Sequence, residues 1–228
     1  MTDKVKKLIE QMCHMQDTLN KQINPNWVDA KYEWYRASWL ECAELMEHCG
    51  WKWWKKQTFD KNQAIMELID IWHFGLSQTL VYVASNEQNI QQAVNYLNNN
   101  YELAVKHHQN NDEMDLSNFK NQVELFVKFL LENKDQFPAY TFSNLLLCAG
   151  LKMEDVYVSY IGKNVLNKFR QDNGYKTGTY VKIWNDEEDN EVLTRYLNKL
   201  LSEKVDLIDF EQLIEQHLTE QYNLIRPV

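Results

Sequence analysis

The stretch ELIDIWHF, residues 67–74, sets Glu67 and Asp70 three positions apart among Leu68, Ile69, Ile71, Trp72 and Phe74, with His73 three further on. Upstream, WLECAELMEH repeats the spacing with Glu41 and Glu44 amid Trp39, Leu40, Ala43, Leu45 and Met46. Residues three apart share one face of a helix. Either pair alone would read as an ordinary solvated stripe. Two pairs on consecutive apolar helices read differently, because antiparallel packing would gather four carboxylates. Like charges so close cannot all stay ionised without protonation, basic partners or a hard cation. An all-oxygen donor set suits Mg²⁺, which commonly works on phosphates. The competing chemistry is a di-iron carboxylate bundle, which takes Glu-x-x-His from two helices plus two further glutamates. Here Asp70 and His73 make one D-x-x-H, and His48 lies four positions after Glu44, out of the matching register. Spacing therefore favours Mg²⁺.

Two basic and aromatic clusters accompany the acids. GWKWWKK holds Trp51, Trp53 and Trp54 with Lys52, Lys55 and Lys56. These are either core tryptophans with lysine stems reaching out to water, or a ring platform for a base with ammonium groups near phosphates. In YIGKNVLNKFRQDNGYKTGTYVKIW, Lys163, Asn167 and Arg170 fall on one helix face, followed by Lys176 and Tyr180. Arg and Lys suit phosphate oxygens, and an amide suits a pyrimidine edge. Cations also complement the end of a helix, so a solvated terminus would look similar. The run DEEDNE at 186–191 reads as ordinary acidic capping.

The elements that must position these groups are helices. Glycines and prolines are few, and apolar residues recur at i, i+3 and i+4. Leu8, Met12, Met15 and Leu19 mark a first helix ending near Asn24-Pro25; a second is expected over about 29–49, terminated by Gly50, and a third over about 59–84. Residues 86–138 are Asn/Gln-rich, yet Val94, Leu97, Leu103, Phe126, Phe129 and Leu130 indicate helices, read as a peripheral insertion. Further helices are expected over 142–148, 154–169, 189–202 and 206–224. Between them the Asn-Gly and Thr-Gly signals near 173–178 predict a structured loop that could hold a short hairpin. The fold class is all-α, a helical bundle in one domain.

With 228 residues the chain can bury a substantial core. Its 24 basic against 33 acidic residues, −9 net, disfavour electrostatic capture of nucleic acid or an anionic membrane. Cys13, Cys42, Cys49 and Cys148 form no C-x-x-C pair, the N-terminus lacks a long apolar run, and no stretch has membrane-spanning length. A soluble cytoplasmic protein with reduced thiols is expected.

In family order, ECAEL, WKWWK, ELIDIWHF and YIGKNVLNKFRQDNGYKTGTY…W…EDNEVL resemble the dimeric all-α dUTPases, relatives of the MazG-type nucleoside triphosphate pyrophosphatases, most of all their bacterial and phage members. The resemblance is weak across 86–138. It implies Glu41, Glu44, Glu67 and Asp70 as Mg²⁺ ligands, with Mn²⁺ as a substitute, and Glu44 as the carboxylate that orients or deprotonates the attacking water. His73 and Phe74 match positions against the deoxyribose, Trp53 and Asn167 match the base pocket, and Lys163, Arg170, Lys176 and Tyr180 match the phosphate-gripping segment. Gln16 and Asn20 resemble first-helix positions near the base, although Asp17 stands where members often carry a second glutamine. The implied reaction is hydrolysis of dUTP to dUMP and pyrophosphate, extending to dUDP, in a homodimer. Three other readings stay open: a MazG-like enzyme for another nucleotide such as dCTP, a di-iron protein, and an interaction role for the insertion.

Overall fold

A computed structural model describes residues 2–108, 114–203 and 207–225. The centre of the expected insertion, 109–113, and the expected helix start at 206 lie outside the described residues. The chain divides into two compact units, Met1–Tyr157 and Val158–Val228.

In the first unit, α1 (Thr2–Ile23) turns Val5, Ile9, Met12, Cys13, Gln16, Leu19 and Asn20 inward, one helical stripe. Pro25 follows its end, and Asn24 builds a turn, its side chain accepting from the Asn26 N–H at 3.0 Å and its carbonyl from the Trp27 N–H at 3.0 Å. That turn, continued by Lys31 at φ +52°, delays α2 to Trp34–His48, later than the expected start. Gly50, at φ +65°, ends α2 in the left-handed conformation that its position anticipates. Asp60 caps α3 (Lys61–Ser85) by accepting from the Gln63 N–H.

The third helix is buried on nearly every side, including Leu68, Ile69, Ile71, Trp72 and Leu76. It packs against α2, α1 and α4. Trp72 stacks on Phe142 of α6 (Ala139–Cys148) with centroids 5.5 Å apart, and Phe126 and Phe137 meet the Phe142 ring at a tilt. The region 86–138 is not peripheral. Its helices α4 (Ile90–His107) and α5 (Leu116–Glu132) bury Val94, Leu97, Tyr101, Phe119, Phe126 and Leu130 and pack against α1, α2 and α6. The polar Asn and Gln residues mask an amphipathic pattern whose apolar stripe is core.

α7 (Met153–Asp172) starts in the first unit, where the Met153 N–H donates to the Tyr101 hydroxyl, and continues into the second. There Gly174 and Gly178, at φ +90° and +72°, bracket a short 3-10 turn, Tyr175–Thr177. The glycine signals thus mark this turn, while the hairpin forms further on, from β1 (Ile183–Trp184) and β2 (Glu187–Glu188). Asn185 and Asp186 turn it with φ +50° and +70°, the double positive that a two-residue hairpin needs. α8 (Asp189–Ser202) packs on α9 (Leu207–Ile225), and Phe169, Tyr180, Trp184 and Tyr222 form an aromatic cluster within the unit. Among the described residues no helix is long and apolar enough to cross a membrane.

Gly75 is needed where α3 meets Phe137: a Cβ there would come within 2.5 Å of the ring, which is itself fully buried. Gly75→Ala should therefore lower stability by about 1–3 kcal/mol from overpacking, against the gain of up to ~1 kcal/mol in helix propensity. Urea unfolding of the two proteins checks this; an unchanged or raised midpoint would contradict the packing described.

Candidate functional site

The close contact of α2 and α3 lays Glu41 beside Glu67 and Asp70, with one carboxylate oxygen of each within 4.8 Å of the others. Glu67 is buried, and Glu41 and Asp70 are half-buried. Three acids gathered on apolar helices repel one another, and hard oxygen donors at this spacing fit a divalent cation. The three donors of this cluster are all carboxylates, whereas a di-iron bundle site adds histidines to its glutamates. His48 lies at the rim, its Nε2 3.4 Å from Glu67 Oε1. Glu44, one turn beyond Glu41, is exposed and its carboxylate is outside the three-acid cluster.

One turn along α3, His73 starts a chain of buried polar groups. Its Nδ1 is 2.7 Å from Gln16 Oε1, Gln16 Nε2 donates to Asn20 Oδ1 at 3.0 Å, and Asn20 Nδ2 donates to Ser77 Oγ at 2.9 Å. Gln16, Asn20 and His73 are thus brought together, on α1 and α3, and Ser77 completes the set. Asp17, the departure from the resembled pattern, faces elsewhere: it pairs with Lys21 at 2.7 Å and accepts from the Trp27 indole at 3.2 Å. Phe74 lies near Trp34, with ring centroids 6.2 Å apart. The tryptophans of GWKWWKK are not core. Trp53 is 89% exposed, and it and Trp51 meet Trp54 edge-on.

The second unit assembles Lys163, Asn167, Arg170 and Tyr180 around an acid that sequence reasoning treated as a helix cap. Asp189 is fully buried and accepts from Arg170 Nε at 2.8 Å, Arg170 Nη2 at 2.7 Å and the Tyr180 hydroxyl at 2.7 Å. Asn190 Oδ1 accepts from Lys163 Nζ at 2.8 Å and Arg170 Nη2 at 3.2 Å, while Asn167 Oδ1 accepts from Arg170 Nη1 at 3.2 Å. The capping itself is done by Glu188 with Glu191, as expected of the acidic run. Lys176 of the predicted group is exposed on the 3-10 turn. Burial acts to raise the Asp189 pKa, but the hydrogen bonds and charge of Arg170, with Tyr180 and Lys163, prevail and hold it below the usual carboxyl value. Burial and the Asp189 charge push the Tyr180 hydroxyl well up, so it stays a donor.

Asp189, Asn190 and Ser77 are the residues that motif reading missed. Ser77 carried an i+4 signal from His73, and Asp189 a place directly after the hairpin, but neither signal is specific without the partner it meets.

A family model described as dUTPase matches residues 8–175, from α1 through α7 and including α4 and α5. No curated protein matches the chain.

Removing Asp189 would leave the Arg170 guanidinium buried beside a lost anion, a loss of about 3–5 kcal/mol. Asp189→Asn should show it in urea unfolding at neutral pH. Because the folded carboxyl pKa is lowered, its stabilisation is complete above the unfolded value of ~3.9 and disappears as pH falls through the folded one. The variant should accordingly lose that part of the acid dependence, and an acid limb parallel to wild type would contradict the assignment.

Proposed function

The chain belongs to the all-α dUTPase family and is a dUTP diphosphatase, and from that premise we propose a Mg²⁺-dependent reaction in which dUTP and water give dUMP and pyrophosphate. The observation that carries the proposal is the convergence of Glu41, Glu67 and Asp70. Together with Glu44 they would hold Mg²⁺, or Mn²⁺ in its place. Bound there, the cation supplies charge neutralisation of the phosphate chain and acidifies water.

The side chains have separable tasks. Glu44, exposed one turn from Glu41, orients the attacking water and takes its proton, with in-line attack at the β-phosphorus by family analogy. Lys163, Arg170, Lys176 and Tyr180 bind the phosphates and stabilise charge that develops on them. Asn167 and the exposed Trp53 face the base. His73 and Phe74 pack against the sugar, where a bulky contact rejects a 2′-hydroxyl. Gln16 and Asn20 read the pyrimidine edge. A diphosphate offers the same base, sugar and first two phosphates, so dUDP is a second substrate.

The active protein is proposed to be a homodimer. It has free thiols at all four cysteines, three of them buried, with burial pushing Cys13 up to about 12 and Cys49 up to about 11. Inert reduced thiols suit a cytoplasmic location. With an acidic net charge of −9 and no membrane-crossing helix among the described residues, the substrate is the free nucleotide.

Pyrophosphate release should be strong with dUTP, present as phosphate release with dUDP, and abolished by EDTA until Mg²⁺ or Mn²⁺ is returned. Activity that persists in EDTA would rule out the metal. Glu44→Gln should keep the helical circular dichroism and lose about 10²–10⁴ in kcat; near-normal turnover would remove Glu44 from the mechanism.

A further inference from the structure

The polar chain on α1 and α3 has a direction, and Ser77 fixes one end of it. Ser77 is fully buried, and its Oγ lies 3.0 Å from the His73 backbone carbonyl. A carbonyl carries no proton, so the single hydroxyl proton of Ser77 is spent on it. Ser77 Oγ can then only accept from Asn20, at 2.9 Å, which fixes Nδ2 of that amide toward the serine. Asn20 Oδ1 faces Gln16 and must accept, so Gln16 presents its Nε2 there, at 3.0 Å, and its Oε1 to His73. An amide oxygen 2.7 Å from the His73 Nδ1 requires the proton to be on Nδ1. Nε2 of the neutral ring therefore carries a lone pair, and whatever it meets, side chain or substrate, must be a donor.

An amide side chain is nearly symmetric in shape but reversed in polarity when turned over. Uracil and cytosine differ in the same sense. Uracil accepts at its 4-carbonyl and donates from N3–H, whereas cytosine donates from its 4-amino group and accepts at N3. A pair of amides free to flip would read both bases. A pair locked in one sense reads one and opposes the other, and sites built on buried hydrogen bonds discriminate strongly.

We propose that Ser77 is a specificity-determining positioning residue: it locks the orientation of Asn20 and Gln16 and the Nδ1–H tautomer of His73, and so the preference for uracil over cytosine. The specificity part rests on the proposed placing of the base at Gln16 and Asn20. The serine touches neither base nor phosphate in this scheme and acts through the amides.

Two measurements separate the lock from the site reading. Long-range proton–nitrogen correlation spectra, at a pH where imidazole is neutral and with His73 assigned by its loss in His73→Gln, should show wild-type His73 protonated on Nδ1. An Nε2–H ring in the wild-type enzyme overturns the proposal outright. In Ser77→Ala, and in Ser77→Cys, where the thiol is a weak donor and keeps the position filled, the two tautomers should mix. The ratio of kcat/KM for dUTP over dCTP should fall at least ~10-fold, through dCTP gaining and the dUTP KM rising, with dUTP kcat little changed. A folded variant that keeps both ratio and tautomer overturns the lock, and an unchanged ratio alone overturns the specificity role. A purely structural serine would instead lower the melting temperature with the ratio intact. Asn20→Ala tests the underlying reading separately: if it leaves the dUTP KM unchanged, the base does not sit at these amides, while the spectra still judge the lock.

Discussion

The packing of α2 against α3 presses Glu41 toward Glu67 and Asp70, and the first unit is organised to hold that contact. Each ionised pair at such a separation repels by a few kcal/mol at an effective dielectric near ~20. The helices cannot relieve it by separating, because α3 is buried on nearly every side and its Trp72 is stacked on Phe142. Apolar burial thus maintains a local electrostatic conflict that a bound cation would resolve. Such conflicts between local and global preference mark functional positions in otherwise consistent structures.

Polar groups elsewhere are treated differently, and the contrast is informative. The chain from His73 to Ser77 consists of uncharged amides and a hydroxyl beside an imidazole, and its polarity runs in one sense from hydroxyl to imidazole. In the second unit the charges are opposite and satisfied inside the protein: Asp189 takes both nitrogens of the Arg170 fork and the Tyr180 hydroxyl. A buried pair of this kind contributes less to net stability than to geometry. It holds the guanidinium in one chosen orientation.

Much of this was legible in the residue order. The all-α class, the Gly50 terminator and the order of the helices followed from apolar spacing and a scarcity of breakers, because a helix reports its buried face in its own period. The acidic pairs were visible as charges in the wrong surroundings. Three readings were off for stated reasons. The turn opened by Asn24 runs on through Lys31, at φ +52°, and so takes up the residues expected to start α2. The Asn/Gln content of α4 and α5 concealed core stripes. Asp189 shares its local sequence with capping acids, and nothing local separates a cap from an acid that closes on Arg170, nineteen positions earlier.

By itself the sequence determined which segments are helical, which residue types could hold a cation or grip phosphates, and that the chain's acidity leaves only local cationic sites. These are properties of spacing and composition, carried within one or two helical turns. Only the tertiary structure decided that Glu41 meets Glu67 and Asp70 while Glu44 lies outside their cluster, that Trp53 is exposed, and that Ser77 and Asp189 govern the groups beside them. Those facts depend on the rotation of one helix against another and on which single proton or lone pair faces which, and neither is encoded by the periodicity of any one segment.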